Sequence, residues 1–224
     1  MYLKIDIKMV KLKKILKEIN NDENFIFVSV GANDGIFVDE VFQSNLLNIK
    51  WKSYFIEPVK ERFDLLITNY ENHYPNNNFI YENSAIYIDR GDDFLITSKN
   101  DDSRGLCSFF RIESDISDKI PVTKITFKDL IEKHNINKIN FLKIDCEGMD
   151  HEIILQCLDN NIIPDLILFE DIQLPLTRNG VRNKTDLIDR INEIDELVII
   201  DDVAEFQYEE GNKLIIKKEL LRYV

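Results

Sequence analysis

Short apolar runs alternate with helical stripes along most of this chain. That alternation constrains the fold more than any other feature. The runs FIFVSV (25–30), KSYFIEP (52–58), NFIYENSAIY (78–87), INFLKID (139–145) and DLILFE (165–170) are rich in β-branched and aromatic residues, as buried strands are. Between them, apolar residues fall at helical spacing over 39–49, 60–70, 126–134, 150–160 and about 185–193, the last starting at Thr185. Thr126, with Asp129 three residues on, caps the third of these. Strand–helix–strand units close onto a mainly parallel sheet. DDFLIT (92–97) and LCSFF (106–110) predict a short antiparallel excursion with Gly91 and Gly105 at its turns. ELVII (196–200), EFQYE (205–209) and NKLIIKK (212–218) finish the chain, the last two as a hairpin around Glu210 and Gly211.

The 224 residues are enough for one domain with a full core. Leu12, Ile15, Leu16 and Ile19 form the apolar stripe of a lysine-rich helix. The expected organisation is an N-terminal amphipathic helical segment over 1–24, followed by one domain over 25–224. The formal charge of −13 repels nucleic acid, whose binding depends on neutralised phosphates. Only the first nineteen residues depart from this, with six lysines against Asp6 and Glu18. Cys107, Cys146 and Cys157 form no CxxC pair, so a disulfide framework or structural zinc is not expected. No run approaches the roughly 20 apolar residues of a membrane span, and the N-terminus lacks the pattern of a signal peptide. The expectation is a cytoplasmic protein.

The chemistry concentrates where strands end. FVSVGANDG (27–35) places Gly31 and Gly35 around Ala32, Asn33 and Asp34, directly after the first strand. Glycine is costly unless a turn or a close approach needs it. In an open parallel sheet, ligands bind at this edge. The spacing is not that of a dinucleotide fingerprint, and Asp34 would repel a pyrophosphate while suiting a cationic cofactor. Glu57, at the tip of the second strand, offers two acceptor oxygens for ribose hydroxyls. Asn83, Ser84 and Ala85 end the third strand, where a purine edge would lie. FLKIDCEGMDHEIIL (141–155) then gathers Asp145, Glu147, Asp150, His151 and Glu152 on one strand-to-helix turn. His151 is the general-base candidate near neutral pH. Cys146 lies between two acids, which raises its pKa, and reads as structural. Glu170 and Asp171 end the last parallel strand.

With these residues in hand, the chain resembles the FkbM family of S-adenosylmethionine-dependent methyltransferases. The similarity runs from about 25 to about 215. It rests on VSVGANDG, YFIEP, NSAI, VTKITFKDLI, INFLKIDCEGMDHEIIL and PDLILFE, of which the KIDCEG block is the most specific. The resemblance implies an α/β, Rossmann-like class I methyltransferase fold: a seven-stranded, mostly parallel sheet with helices on both faces and an antiparallel last strand. It implies methyl transfer from S-adenosylmethionine to a hydroxyl, often of a sugar, glycan or natural product. Gly31, Ala32, Asn33, Asp34 and Gly35 then form the cofactor turn. Glu57 is the ribose acid, and Ser84 and Ala85 lie beside the adenine. Asp145 and Glu147 face the methyl group, and Glu152 is structural. Either Asp145 or His151 takes the hydroxyl proton. Asp145 and Glu147 could hold a divalent cation, but the metal-free version ranks ahead, because the sequence shows no cage-like ligand spacing. Two alternatives remain open. A nicotinamide-dependent oxidoreductase fits the strand–helix alternation but lacks the second close glycine. A non-enzymatic interaction module on the same fold would suit the acidic surface.

Overall fold

The apolar runs do become strands, and β1, β2, β7 and β8 are buried on both faces. The computed structural model describes residues 12–19, 24–36, 40–43, 46–98, 108–109, 116–171, 180–200 and 212–223. In chain order, the elements are α1 (Leu12–Ile19), β1 (Ile26–Val30), α2 (Glu40–Gln43), β2 (Lys52–Ile56), α3 (Lys60–His73), β3 (Phe79–Glu82), β4 (Ala85–Ile86), β5 (Gly91–Ser98), β6 (Ile116–Ile125), α4 (Phe127–His134), β7 (Phe141–Ile144), α5 (Asp150–Asp159), β8 (Leu166–Glu170), α6 (Lys184–Glu193), β9 (Leu197–Ile200) and β10 (Asn212–Lys217). A 3-10 helix over Lys218–Tyr223 follows.

Seven strands form one sheet in the order β3-β2-β1-β7-β8-β10-β9. β1 pairs in parallel with β2 and β7, β2 with β3, and β7 with β8. β10 is antiparallel to both β8 and β9. Alternate residues of each strand point to opposite layers. Val28, Ile56, Leu142 and Ile167 pack against α4, α5 and α6 through residues such as Phe127, Ile154 and Leu187. Phe27, Phe55, Phe141 and Leu168 pack against α1 and α3 through Leu12, Ile15, Leu66 and Tyr70. Leu12, Ile15 and Leu16 are almost completely buried, so α1 belongs to the core of this layer.

Local signals set several boundaries. Thr126 caps α4 through a reciprocal box with Asp129, as expected. Asn183 caps α6 in the same way with Asp186, so this helix opens one residue earlier than Thr185. The third strand differs from the sequence reading. Residues 78–87 split into β3, in the main sheet, and β4, in a second sheet ordered β4-β6-β5. The break falls at Asn83, whose side-chain amide donates to the Glu57 and Pro58 carbonyls at 2.9 and 3.1 Å. The excursion partner also differs. β5 pairs along its length with β6, and Ser108 contributes one bridge to Ile96. A proline at 121 inside β6 hid that strand, since proline normally marks a strand's edge or end. The helix expected over 39–49 is described only as the four-residue α2, and Leu46–Lys50 are not helical. EFQYE (205–209), the first arm of the expected hairpin, lies outside the described residues. Among the described residues, no helix is long and apolar enough to cross a membrane.

Candidate active site

β1, β2 and β7 deliver their carboxyl ends to one edge. The chain leaves β1 through Gly31, whose φ is +78°. A Cβ there would stand 1.9 Å from the Asp145 carbonyl oxygen, so the exits of β1 and β7 touch and only glycine fits. The backbone amides of Gly31 and Ala32 both donate to the Ile56 carbonyl at 3.0 Å, and that of Asp145 donates to the Val30 carbonyl at 3.0 Å. Asn33 is left-handed at φ +50°, a conformation that asparagine tolerates. Its side chain accepts from the Asp34 amide, and the Asp34 carboxylate accepts from the Ile36 amide. Gly35, at φ +77°, donates its amide to the Ala32 carbonyl at 3.0 Å. Its missing Cβ makes room for Leu66 and Tyr70, so it seats the turn against α3.

Glu57 ties this turn to β2. One carboxylate oxygen accepts from the Asn33 amide and the other from the Val59 amide, both at 2.8 Å. The residue is only 6% exposed, and burial pushes its pKa up to about 7 against the pull of those amides. The strand tip read from the sequence is thus buried, and alanine at position 57 would leave two amides without their acceptor. We expect Glu57→Ala to lose cofactor binding and also to cost about 2 kcal/mol of stability, read as a lowered urea midpoint at constant m-value.

Ser84 is buried, and its hydroxyl has no hydrogen-bond partner among the described residues. Ala85 begins β4 and is likewise buried. Asn83, considered for a purine edge, spends its side-chain amide on the backbone at the end of β2.

The β7–α5 turn holds most of the acids. Glu147 and Gly148 both have positive φ. The Glu147 carbonyl accepts from the Ser108 hydroxyl at 2.8 Å, so the β5–β6 excursion is fastened to this turn. Asp145, Glu147 and Glu170 bring one oxygen each within 4.8 Å of one another, a grouping that could hold a cation. The sequence reading named only Asp145 and Glu147 for a cation; the fold adds Glu170 from β8. Lys143 is buried under this group, 3.8 Å from Asp145.

Asp150 is the residue the sequence reading undervalued. It is 1% exposed and accepts from the amides of Cys146 and Glu170, joining the ends of β7 and β8. Burial, then the charge of Asp145, pushes its pKa up to about 7. Burial first, then Asp150 and Asp145, holds the Cys146 thiol well above its usual range, so it is no nucleophile. His151 faces elsewhere. It is 5% exposed, and its Nε2 lies 2.8 Å from Asp171, which also takes Lys184 and Lys213. Those partners hold the Asp171 carboxyl below its usual range despite burial. Glu152 is bound by Arg182 from its backbone amide and guanidinium, consistent with a structural role.

Glu57 and Asp150 set a pH dependence. Their folded pKa values of about 7 lie above the ordinary 4.5 and 3.8. Between those limits the folded state holds protons that the unfolded chain has released, so stability falls as pH rises through the window. We expect the melting temperature to rise when pH is lowered from 8 to 6, as scanning calorimetry would show. A melting temperature that falls over that range contradicts the two assignments.

The strand order, with glycine and acidic residues gathered at one strand edge, is that of an α/β methyltransferase fold. The Methyltransferase FkbM domain matches residues 29–208. The chain belongs to the FkbM methyltransferase family. It is a methyltransferase, which removes the oxidoreductase and interaction-module alternatives. No curated protein matches it by sequence. Among solved structures, the O-methyltransferase from Bacillus cereus in complex with SAH is similar, with TM-score 0.53 and 11% identity over 93% of this chain and 82% of that one. The O-methyltransferase TomG from Streptomyces achromogenes, in complex with SAM, gives TM-score 0.52 and 7% identity over 92% and 78%. A putative O-methyltransferase from Klebsiella pneumoniae gives 0.51 and 9% over 94% and 82%. These likenesses concern the fold.

Proposed function

We propose that the protein transfers a methyl group from S-adenosylmethionine to a hydroxyl of a sugar, glycan or natural-product acceptor. The convergence of Gly31, Glu57 and Asp145 on one sheet edge carries this reading. The residues suit that cofactor. Ser84 keeps a buried hydroxyl without a partner among the described residues. Each Glu57 oxygen uses one lone pair on an amide and keeps another for a ribose hydroxyl. An edge this acidic favours a sulfonium and an ammonium over a pyrophosphate. On this reading, Gly31, Ala32, Asn33, Asp34 and Gly35 line the cofactor, and Glu57 holds the ribose. Ser84 and Ala85 flank the adenine, and Asp145 faces the methionyl end.

When bound, the cofactor supplies a methyl carbon already activated by its sulfonium. The protein must then align an acceptor oxygen and remove its proton. Asp145 and Glu147 are the proposed acceptors of that proton. His151, committed at Nε2 to Asp171, could act only through Nδ1. The metal-free version remains the preferred one, with Asp145, Glu147 and Glu170 as the group to watch.

Methyl-labelled S-adenosylmethionine, offered with sugars, nucleotide sugars, lipid-linked glycans and RNA, tests the reading. The expected product is an O-methyl ether on a non-nucleic-acid acceptor, formed equally well with EDTA present. Label found only in RNA or on nitrogen would overturn the acceptor class, and loss of product with EDTA would overturn the metal-free version. Cys146 and Cys157 are free thiols, which suits the cytoplasmic setting included in this proposal.

A further inference from the structure

We infer that Arg62 is a further cofactor-binding residue, whose guanidinium donates to a ribose oxygen at the glycine-turn edge. This rests on the reading of that edge as the S-adenosylmethionine site. Arg62 lies in the first turn of α3, five residues beyond Glu57. Among the described residues, its acidic partner is Asp34, with a nitrogen–oxygen distance of 3.9 Å, too long for a hydrogen bond. Its Nε is buried and has no hydrogen-bond partner among the described residues. The side chain is only 16% exposed, so water reaches little of it. A buried guanidinium N–H without an acceptor is costly, and native structures rarely leave one so.

The neighbours define what could complete it. Arg62 stands beside two groups delivered by different elements. Asp34 comes from the β1 turn. Glu57, at the end of β2, feels the charge of Arg62 as a downward pull on its proton affinity. A ligand group docking here must give hydrogens to Glu57 and accept one from Arg62. A vicinal diol does both, because each hydroxyl is donor and acceptor. A carboxylate or phosphate would meet Glu57 and Asp34 as like charges. The ribose is therefore assigned to Arg62, in preference to the amino-acid carboxylate of the cofactor. No sequence signal points to this, since one arginine in KERFDLL reads as the solvated face of a helix.

Calorimetric titration with S-adenosylhomocysteine and with 5′-methylthioadenosine tests the assignment. Both keep the ribose, and the second lacks the amino-acid end. Arg62→Met should weaken both ligands about tenfold. Arg62→Lys should lose nearly as much, because an ammonium cannot reproduce the planar fork. The unliganded melting temperature of Arg62→Met should stay within about 2 °C of wild type or rise, because no hydrogen bond to Nε is lost. Wild-type affinity in Arg62→Met overturns the inference, as does full affinity in Arg62→Lys, which would leave charge alone as the cause. Weakening confined to S-adenosylhomocysteine also overturns it, by moving Arg62 to the amino-acid end. Wild-type protein that binds neither ligand overturns the site reading, and the inference with it.

Discussion

Gly31→Ala should give a protein that has lost most of its stability and all measurable cofactor binding. The added Cβ would stand 1.9 Å from the Asp145 carbonyl oxygen and 3.2 Å from the Cys146 sulfur. The first of these is backbone, held by the β1–β7 ladder, and cannot swing aside as a side chain could. The residue also sits at φ +78°, which alanine adopts only with strain. Relief requires β1 and β7 to separate at the point where Gly31 and Ala32 donate to β2. We expect a cost of about 4 kcal/mol or more, which belongs to the exceptional tail of single substitutions. Against the roughly 5–15 kcal/mol of a typical domain, that is a large share. Urea denaturation followed by circular dichroism measures it. Gly91→Ala is the control. Gly91 also has positive φ, but nothing lies within 4 Å of its added Cβ, so it reports backbone strain without the clash. Equal midpoints for the two variants would show that the exits of β1 and β7 are not in contact as described.

Asp145→Asn should keep the fold and lower turnover by about 10²- to 10³-fold. Asparagine matches the shape of aspartate, and the backbone bond from Asp145 to Val30 does not involve the side chain. What disappears is a charge and a proton acceptor. That charge also raises the proton affinity of Glu57 and Asp150. The same variant should therefore move the pH dependence of melting to lower pH, as both acids release their protons more readily. Steady-state methyl transfer and melting at several pH values read the two effects separately. Unchanged turnover would transfer the base to Glu147. An unchanged melting profile would mean that Asp145 does not sit close to the other two acids.

The parts of this site legible in the sequence are those where residue type alone carries the constraint. Gly31 announced a turn, and Glu57 and Asp145 announced themselves by ending apolar runs. The parallel sheet followed from alternation, and the Thr126 cap followed from its box. What stayed hidden depends on partners far away in sequence. Asp150 looked like an ordinary helix-opening acid, and only the fold shows it bridging the amides of Cys146 and Glu170. His151 looked like a base because its type and place allowed it. Its partner Asp171, and the Lys184 and Lys213 that bind Asp171 in turn, come from three later segments. Gly35 read as part of a turn, and only the fold shows that its missing Cβ makes room for Leu66 and Tyr70 of α3. Ser108 gave no hint of its bond to the Glu147 carbonyl, 39 residues away. β6 was masked by its proline and by an alternation too weak for its length.

The central claim is that glycine and acid tips from β1, β2 and β7 form one cradle for a sulfonium nucleoside. A crystal structure grown with S-adenosylhomocysteine examines it most directly. The account predicts ligand density at that edge, with ribose hydroxyls within hydrogen-bond reach of Glu57, the adenine beside Ser84 and the thioether sulfur facing Asp145. Density lodged at any other part of the sheet, with Glu57 and Asp145 untouched by the ligand, would contradict it.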